Sequence, residues 1–195
     1  MQILLTNDDG IYAPGIAALK QNIQDLGQIT VVAPDVEQSG VGHSITFSQP
    51  LRIRETYLDN EFIGYSVNGS PADCVKLAIC AAMKTRPDVV ISGINMGSNV
   101  GIHILYSGTV AAAVEAAIMG FPSIAISFEI SGQYADIHSA AKVARGVIER
   151  IIAHKPPAGS LLNVNIPSIP PEQIKGIKIT RQFTHDFKET FEKRI

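Results

Sequence analysis

Five short apolar segments rich in isoleucine and valine recur along the chain. They read ILLT, ITVVAP, DVVISG, SIAISF and LLNVNIP. Continuous apolar runs of this length are typical of parallel strands that are buried on both faces of a sheet. Most of them are separated by segments with helical character, and strands that alternate with helices indicate a right-handed, doubly wound α/β fold. We therefore expect a mostly parallel sheet, Rossmann-like in its winding, with helices on both faces.

Four segments between the strands carry helix signals. APGIAALKQNIQDLG has Pro14 near its first turn and Gly27 at its end. GSPADCVKLAICAAMK offers Ser70 as the N-cap, Pro71 at the first helical position and Asp73 in the first turn, which are favoured residues at these positions. GTVAAAVEAAIMG and YADIHSAAKVARGVIERIIAHK supply the other two helices.

One region breaks the alternation of strands and helices. SITFSQPLRIRETY and EFIGYSVNGS are two extended segments, and they predict a small β-hairpin or side sheet attached to the main sheet as a side lobe near the site. The chain has 195 residues and shows no internal repeat. We therefore expect residues 1–195 to form a single domain with a full core.

Composition and charge narrow the class of protein. Hydrophobic residues make up 46% of the chain and charged residues 17%, and the formal net charge is −2, so no overall field attracts a nucleic acid polymer or a membrane. There is no secretory signal pattern and no apolar run of roughly 18 residues, which predicts a cytoplasmic protein. Cys74 and Cys80 fall on different faces of one predicted helix, so we expect small buried side chains rather than a disulfide or a metal pair.

Oxygen-bearing side chains collect in the loops that follow the first three strands. In an open parallel sheet, ligands bind beyond the carboxyl ends of the strands. The loops at these ends read NDDG, APDVEQSGVGHS and SGINMGSNVGIHILYSGT. Their candidate side chains are Asp8, Asp9, Ser39, Asn95, Ser107 and Thr109.

Carboxylate, hydroxyl and amide oxygens are ligands for hard cations, so this set indicates Mg²⁺ or Mn²⁺ rather than zinc or copper. Adjacent strand residues point to opposite faces, so Asp8 and Asp9 reach one cation only if the chain turns there, which Gly10 permits. The alternative is that both aspartates cap a turn together with Asn7.

A glycine-rich loop leads into the helix that begins SGTVAAAVEAA. Backbone N–H groups near Ser107, Gly108 and Thr109 therefore form a candidate phosphate cradle, with simple N-capping as the alternative. We interpret His43 and His103 as loop histidines without a catalytic role.

The chain resembles the SurE family of metal-dependent nucleotidases, the stationary-phase survival proteins. The resemblance runs in order through ILLTNDDGIYAPGI, VVAPDVEQSG, GSPADCV, VVISGINMGSN, YSGTVAAAVEA and GFPSIAIS, and then through NVNIP to IKGIKITR. It implies that the ligands of one divalent metal ion are Asp8, Asp9, Ser39 and Asn95. It also implies that the phosphate pocket is lined by Gly40, Asn95, Ser107, Gly108 and Thr109.

The same resemblance implies hydrolysis of nucleoside 5′- and 3′-monophosphates, cleavage of polyphosphate by some members, and a homodimer or homotetramer built through elements near the C-terminus. Two departures from the family pattern stand out. Ile102 and His103 occupy a place where an acidic residue is common, and members usually continue past Ile195, so we expect a missing or truncated C-terminal extension.

A mechanism follows as a hypothesis. Asp8 and Asp9 are the candidate catalytic residues, holding the cation against a phosphate oxygen, and the general base is Asp9 or a hydroxide on the metal. A receiver-like Mg²⁺-binding signalling module is the alternative outside hydrolases, but its third strand would need a terminal aspartate where this chain has ISGIN. A haloacid-dehalogenase-type phosphatase would need an Asp-x-Asp pattern after its first strand, which NDDG does not provide. A nucleotide-sugar transferase is a further alternative that rests on the fold alone.

Overall fold

Seven strands form one sheet in a computed structural model that describes residues 1–130, 136–183, 190 and 192–193. The strands are β1 (Gln2–Thr6), β2 (Gln28–Pro34), β3 (Ile53–Leu58), β4 (Glu61–Val67), β5 (Val89–Met96), β6 (Ser123–Phe128) and β7 (Leu161–Ile166). Their order across the sheet is β3-β4-β2-β1-β5-β6-β7. All neighbouring pairs are parallel except β3 and β4. The five strands predicted from the apolar runs are confirmed.

The predicted hairpin is present and forms one edge of the sheet. β3 and β4 pair antiparallel, and β4 pairs in parallel with β2. The hairpin therefore continues the main sheet. The first predicted extended segment begins at Ser44, but the strand itself begins at Ile53, and the preceding residues form the loop that crosses the carboxyl end of the sheet.

Helices cover both faces of the sheet, as predicted. They are α1 (Pro14–Ile23), α2 (Pro71–Leu77), α3 (Gly108–Ile118) and α4 (Ile137–Ala153). Alternate residues of β1 face opposite layers: Ile3 and Leu5 pack with α1 and α4, whereas Leu4 packs with α2 and α3. Burial of both faces explains why the central strands read as continuous apolar runs.

The start of α2 follows the sequence prediction closely. Ser70 is the N-cap and its Oγ accepts a hydrogen bond from the Asp73 backbone N–H at 3.1 Å, while the Asp73 carboxylate accepts from the Ser70 N–H at 2.9 Å. This reciprocal pair is a capping box. Cys74 is buried and Cys80, which lies in a short π-helical turn after α2, is exposed. The expectation that both cysteines are buried is therefore wrong for Cys80.

Two sequence expectations touch residues outside the described part of the chain. The last long helix was predicted to begin at Tyr134, but residues 134 and 135 are not among the described residues, and α4 begins at Ile137. The charged C-terminal stretch from Arg181 also lies largely outside them. Within the described ranges, no helix has the length and apolar character needed to cross a membrane.

Candidate active site

The loops after β1 and β5 meet at the carboxyl edge of the sheet. Thr6 at the end of β1 is the register partner of Ser92 in β5. Asp8 and Asp9 follow this pair on one strand, and Asn95 follows it on the other. An irregularity between Ser92 and Asn95 shifts the register of β5 against β6, so the end of β5 departs from regular pairing at the point where Asn95 lies.

Gly10 makes the turn that the two aspartates need. Its φ is +98°, a conformation that favours glycine. The turn is held by the Asn7 side chain, whose Nδ2 donates to the Gly10 carbonyl at 2.9 Å. Asn7 therefore supplies a side-chain hydrogen bond to the turn. The Asp8 carboxyl accepts hydrogen bonds from backbone N–H groups and from Thr109, and the role of the two aspartates as metal ligands stays a prediction.

Asp8 lies against the first turn of α3. It is 4% exposed and accepts a hydrogen bond from the Thr109 hydroxyl. A Cβ on Gly108 would lie 2.7 Å from the Asp8 Cβ, so only glycine allows this approach. Burial raises the pKa of the Asp8 carboxyl, and the Thr109 hydroxyl opposes that rise. Thr109 thus orients Asp8 with its side chain, while its predicted contact with phosphate stays a prediction.

Asp9 is half-buried and its Oδ2 has no hydrogen-bond partner in the described part of the chain. The pKa of Asp9 is raised to about 6, chiefly by burial and further by the charges of Asp8 and Glu37, while the Met96 backbone amide opposes the rise. A desolvated carboxylate beside a second one is stabilised by a nearby positive charge. Asp9 is therefore placed to gain from a cation.

The unpaired polar atoms of the interior cluster at the same place. Among the described residues, five buried side-chain polar atoms have no hydrogen-bond partner, and four of them belong to Thr6, Asn7, Asp9 and Ser92. No group of three His, Cys, Asp or Glu residues that could hold a metal occurs in these ranges. A cation here would thus rely on two carboxylates and neutral oxygens, and Mg²⁺ is commonly bound by one or two carboxylates together with water and phosphate. The residues present fit such an ion.

The loop after β2 closes one side of the site. The Gln38 backbone N–H donates to the Asp8 carbonyl at 2.7 Å, which brings Ser39 and Gly40 beside the acidic pair. Ser39 is exposed and its hydroxyl donates to Glu37 at 2.5 Å. Gly40 has φ +72° and open space where a Cβ would lie. Sequence reasoning missed Glu37, although the loop that it shares with Ser39 was among the predicted rim loops.

Asn95 lies near the end of β5 and uses only its amino group in a hydrogen bond. Its Nδ2 donates to the Gly97 carbonyl at 2.7 Å, and its Oδ1 accepts no hydrogen bond within the described residues. Since the amino group is already bound, the side chain is held in one orientation with the oxygen available as a ligand. Asn95 is half-buried, as a residue lining an open site would be.

Ser107 serves as the N-cap of α3, with its Oγ accepting from the Val110 N–H at 3.1 Å. Ser107 therefore caps α3, and the predicted phosphate cradle stays a prediction that is compatible with the cap, because the cap does not use the hydroxyl proton. The N-terminal end of α3 faces Asp8, so Ser107 and Gly108 lie beside the acidic pair.

Ser107→Ala is expected to reduce stability by about 1 kcal/mol, because it removes a helix cap, and to raise the KM for a phosphomonoester several-fold if Ser107 donates to phosphate as predicted. Steady-state kinetics and thermal unfolding measure the two effects. Ser107→Gly is the control, since glycine is a better N-cap than alanine and should recover stability without recovering KM. Recovery of both would show that the hydroxyl acts through the helix alone.

A buried carboxylate anchors the loop that contains His43. Glu115 in α3 is 6% exposed and lies 2.7 Å from His43 Nε2 and 3.2 Å from Lys76 Nζ. The contact gives His43 a hydrogen-bond partner on α3, and its lack of a catalytic role stays a prediction. Neither Glu115 nor this contact could be predicted from the sequence, because the three residues are far apart along the chain.

Comparisons with known proteins find relatives along the whole chain. The family model described as "Survival protein SurE" matches residues 3–189. A protein named 5′-nucleotidase SurE from Syntrophobacter fumaroxidans is 45% identical over 195 residues, which cover 100% of this chain and 78% of that protein. A protein of the same name from Carboxydothermus hydrogenoformans is 50% identical, with 100% and 75% covered.

A solved structure shares the architecture. The crystal structure of the SurE protein from Aquifex aeolicus superposes with a TM-score of 0.86 at 44% identity and covers 97% of this chain and 75% of that one. The family model matches nearly the whole chain, and the relatives named above align with all of it at close to half identity. This chain therefore belongs to the SurE family.

Proposed function

We propose that the protein is a phosphoric monoester hydrolase that depends on one divalent metal ion and converts nucleoside 5′- and 3′-monophosphates to nucleoside and phosphate. The observation that carries the proposal is the Asp8–Asp9 pair at the rim, with a buried and unpaired Asp9 oxygen, next to the N-terminal end of α3. Relatives at 45–50% identity are named 5′-nucleotidases, and their name supports the same reaction class.

Four side chains would hold the cation. Asp8 and Asp9 supply negative charge, and Ser39 and Asn95 supply neutral oxygens. When bound, Mg²⁺ or Mn²⁺ neutralises charge on the phosphate oxygens. Ser39 would have to release its hydrogen bond to Glu37 for its oxygen to serve as a ligand.

The chain's own residues then position the substrate. Gly40, Ser107 and Gly108 bind phosphate oxygens, aided by the start of α3. Thr109 holds Asp8 through its hydroxyl. In the proposed step, Asp9 would accept the proton of the attacking water as the phosphorus–oxygen bond of the ester breaks, and the departing nucleoside oxygen would take up a proton from solvent.

The remaining parts of the proposal concern the whole protein. We propose one domain over residues 1–195, a cytoplasmic location, and assembly as a homodimer or homotetramer. Polyphosphate cleavage, which the family resemblance implies for some members, belongs to the same proposed site and is tested with the same assay.

The test is phosphate release from a panel of 5′- and 3′-nucleoside monophosphates and polyphosphate, with Mg²⁺ or Mn²⁺ and with EDTA. We expect release with either metal and a loss of at least about tenfold with EDTA, since the acidic pair needs its counterion. Equal release in EDTA would contradict the metal site. Absence of release from every nucleotide, combined with phosphate retained covalently on the protein, would favour a receiver-like module.

A further inference from the structure

A cavity of about 270 Å³ opens beside the acidic site, beyond the ends of β2 and β4. β2 is the sheet neighbour of β1, so the cavity lies one strand away from the aspartates. Gln38 lines the cavity, and its backbone N–H donates to the Asp8 carbonyl at 2.7 Å. The cavity and the acidic site therefore share a wall.

Part of the cavity lining is fixed by hydrogen bonds within the protein. The Thr46 hydroxyl donates to the Asp73 carboxylate at 2.6 Å, and the Ser70 hydroxyl donates to the Ser44 carbonyl at 2.6 Å. The Asn68 amide oxygen accepts a backbone N–H at 2.6 Å. These hydrogen bonds hold the side chains of Thr46, Ser70 and Asn68 in fixed positions along one side of the cavity.

Other lining side chains are uncommitted. The side chains of Asp35, Gln38 and Gln49 have no hydrogen-bond or ion-pair partner within the described residues, and they line the same cavity. Val36 and Ile45, which are 60% and 36% exposed, add apolar surface. No lysine, arginine or histidine is among the lining residues. A neutral ligand with hydrogen-bonding groups and apolar faces fits this combination, and an anion does not.

The position of Asp35 indicates which groups it would bind. Asp35 directly follows β2, which ends at Pro34, and its backbone N–H is fixed to the Val67 carbonyl at 2.9 Å. In dinucleotide-binding α/β folds, an acidic residue near the end of the second strand accepts hydrogen bonds from a ribose hydroxyl, because phosphate and sugar lie over neighbouring strand ends. The analogy concerns placement, and the same placement occurs here.

We propose that this cavity binds the nucleoside moiety of the substrate and that Asp35 accepts hydrogen bonds from the ribose 2′- and 3′-hydroxyls. This inference rests on the proposed function and narrows it to 5′-ribonucleotides as the preferred class. A 2′-deoxynucleotide lacks one of the two donors. A 3′-monophosphate with its phosphate at the acidic site has no free 3′-hydroxyl and so offers one donor of the two, and polyphosphate would place an anion next to Asp35 in a cavity with no cationic lining residue.

The test compares the parent protein with Asp35→Asn, and with Asp59→Asn as the matched control in the exposed β3–β4 turn. Values of kcat/KM are measured with adenosine 5′-monophosphate, its 2′-deoxy analogue and p-nitrophenyl phosphate. We expect the parent to prefer the ribonucleotide about tenfold, and Asp35→Asn to reduce that preference to about twofold, since a hydrogen bond to a charged group is lost. Turnover of p-nitrophenyl phosphate should change less than about twofold, because this substrate has no ribose.

Calorimetric binding of adenosine and 2′-deoxyadenosine provides a readout that needs no turnover. We expect the parent and Asp59→Asn to bind adenosine more tightly than 2′-deoxyadenosine, and Asp35→Asn to bind the two equally. This result supports the cavity proposal even if no phosphate is released. The cavity proposal is overturned if the parent hydrolyses the ribonucleotide and the 2′-deoxynucleotide equally well, or if Asp35→Asn keeps the parent's preference. In both cases the hydrolase proposal stands.

Discussion

Asp9→Asn is expected to lower phosphate release by about 10²- to 10⁴-fold while the protein remains folded. The substitution keeps the size of the side chain, and in the proposed mechanism it removes both the charge that would hold the cation and the group that would accept the proton of the attacking water. Initial rates with saturating Mn²⁺ measure the effect. Asp59→Asn makes the same chemical change in the exposed hairpin turn and should keep the parent rate.

The same substitution should stabilise the metal-free protein. The pKa of Asp9 is raised from 3.8 to about 6 in the folded state, so between these values the native state binds more protons than the unfolded chain. Stability therefore falls as pH rises through this window. Asparagine does not ionise, so the melting temperature of the variant in EDTA should exceed that of the parent at about pH 7.5, and the difference should vanish near pH 4.

With added Mn²⁺, the parent should have a higher melting temperature than Asp9→Asn. The cation binds the folded parent and raises its melting temperature, whereas the variant should gain little. If Asp9→Asn loses activity but Mn²⁺ still raises its melting temperature as much as that of the parent, Asp9 acts in proton transfer and is not needed as a metal ligand. Near-normal turnover would remove Asp9 from both roles.

Much of the fold could be predicted because it depends on local patterns. The apolar runs predicted the five parallel strands. Neighbouring residues such as Ile3 and Leu4 face the helix layers on opposite sides of the sheet, so both must be apolar. The Ser70–Asp73 capping box is likewise local. The edge position of the hairpin, and the exposed Cys80 in a π-helical turn, depend on packing between distant segments and left no pattern in the sequence.

The site was predictable only as a set of residues on one rim. Asp8 and Asp9 follow the end of β1 and Asn95 lies near the end of β5, and the topology of a parallel sheet brings such ends together. The support around them was not predictable. Thr109 holding Asp8 and Glu37 facing the pair are tertiary contacts, and the second role of Ser107 as a cap became visible only with the geometry of α3.

Gly108→Ala is expected to reduce kcat/KM about a hundredfold, because the added methyl group must displace Asp8 or the first turn of α3. A Cβ at this position would lie 2.7 Å from the Asp8 Cβ, 3.0 Å from its Oδ2 and 3.1 Å from Pro71 Cγ. Contacts of 2.7 Å do not persist between carbon atoms, and Asp8 is held to the adjacent Thr109. The carboxylate therefore moves from the position in which it would hold the cation.

Gly146→Ala is the matched control for this helical glycine. Gly146 lies inside α4, where nothing lies within 4 Å of an added Cβ, so alanine should stabilise the protein by about 0.5–1 kcal/mol and leave the rate unchanged. If Gly108→Ala fails to fold, Thr109→Val gives a second test, because it removes the hydroxyl that holds Asp8 and adds no atom at Gly108. Activity should fall and Mn²⁺ binding should weaken in that variant as well. A folded Gly108→Ala protein with the parent rate would show that catalysis does not depend on the contact between α3 and Asp8.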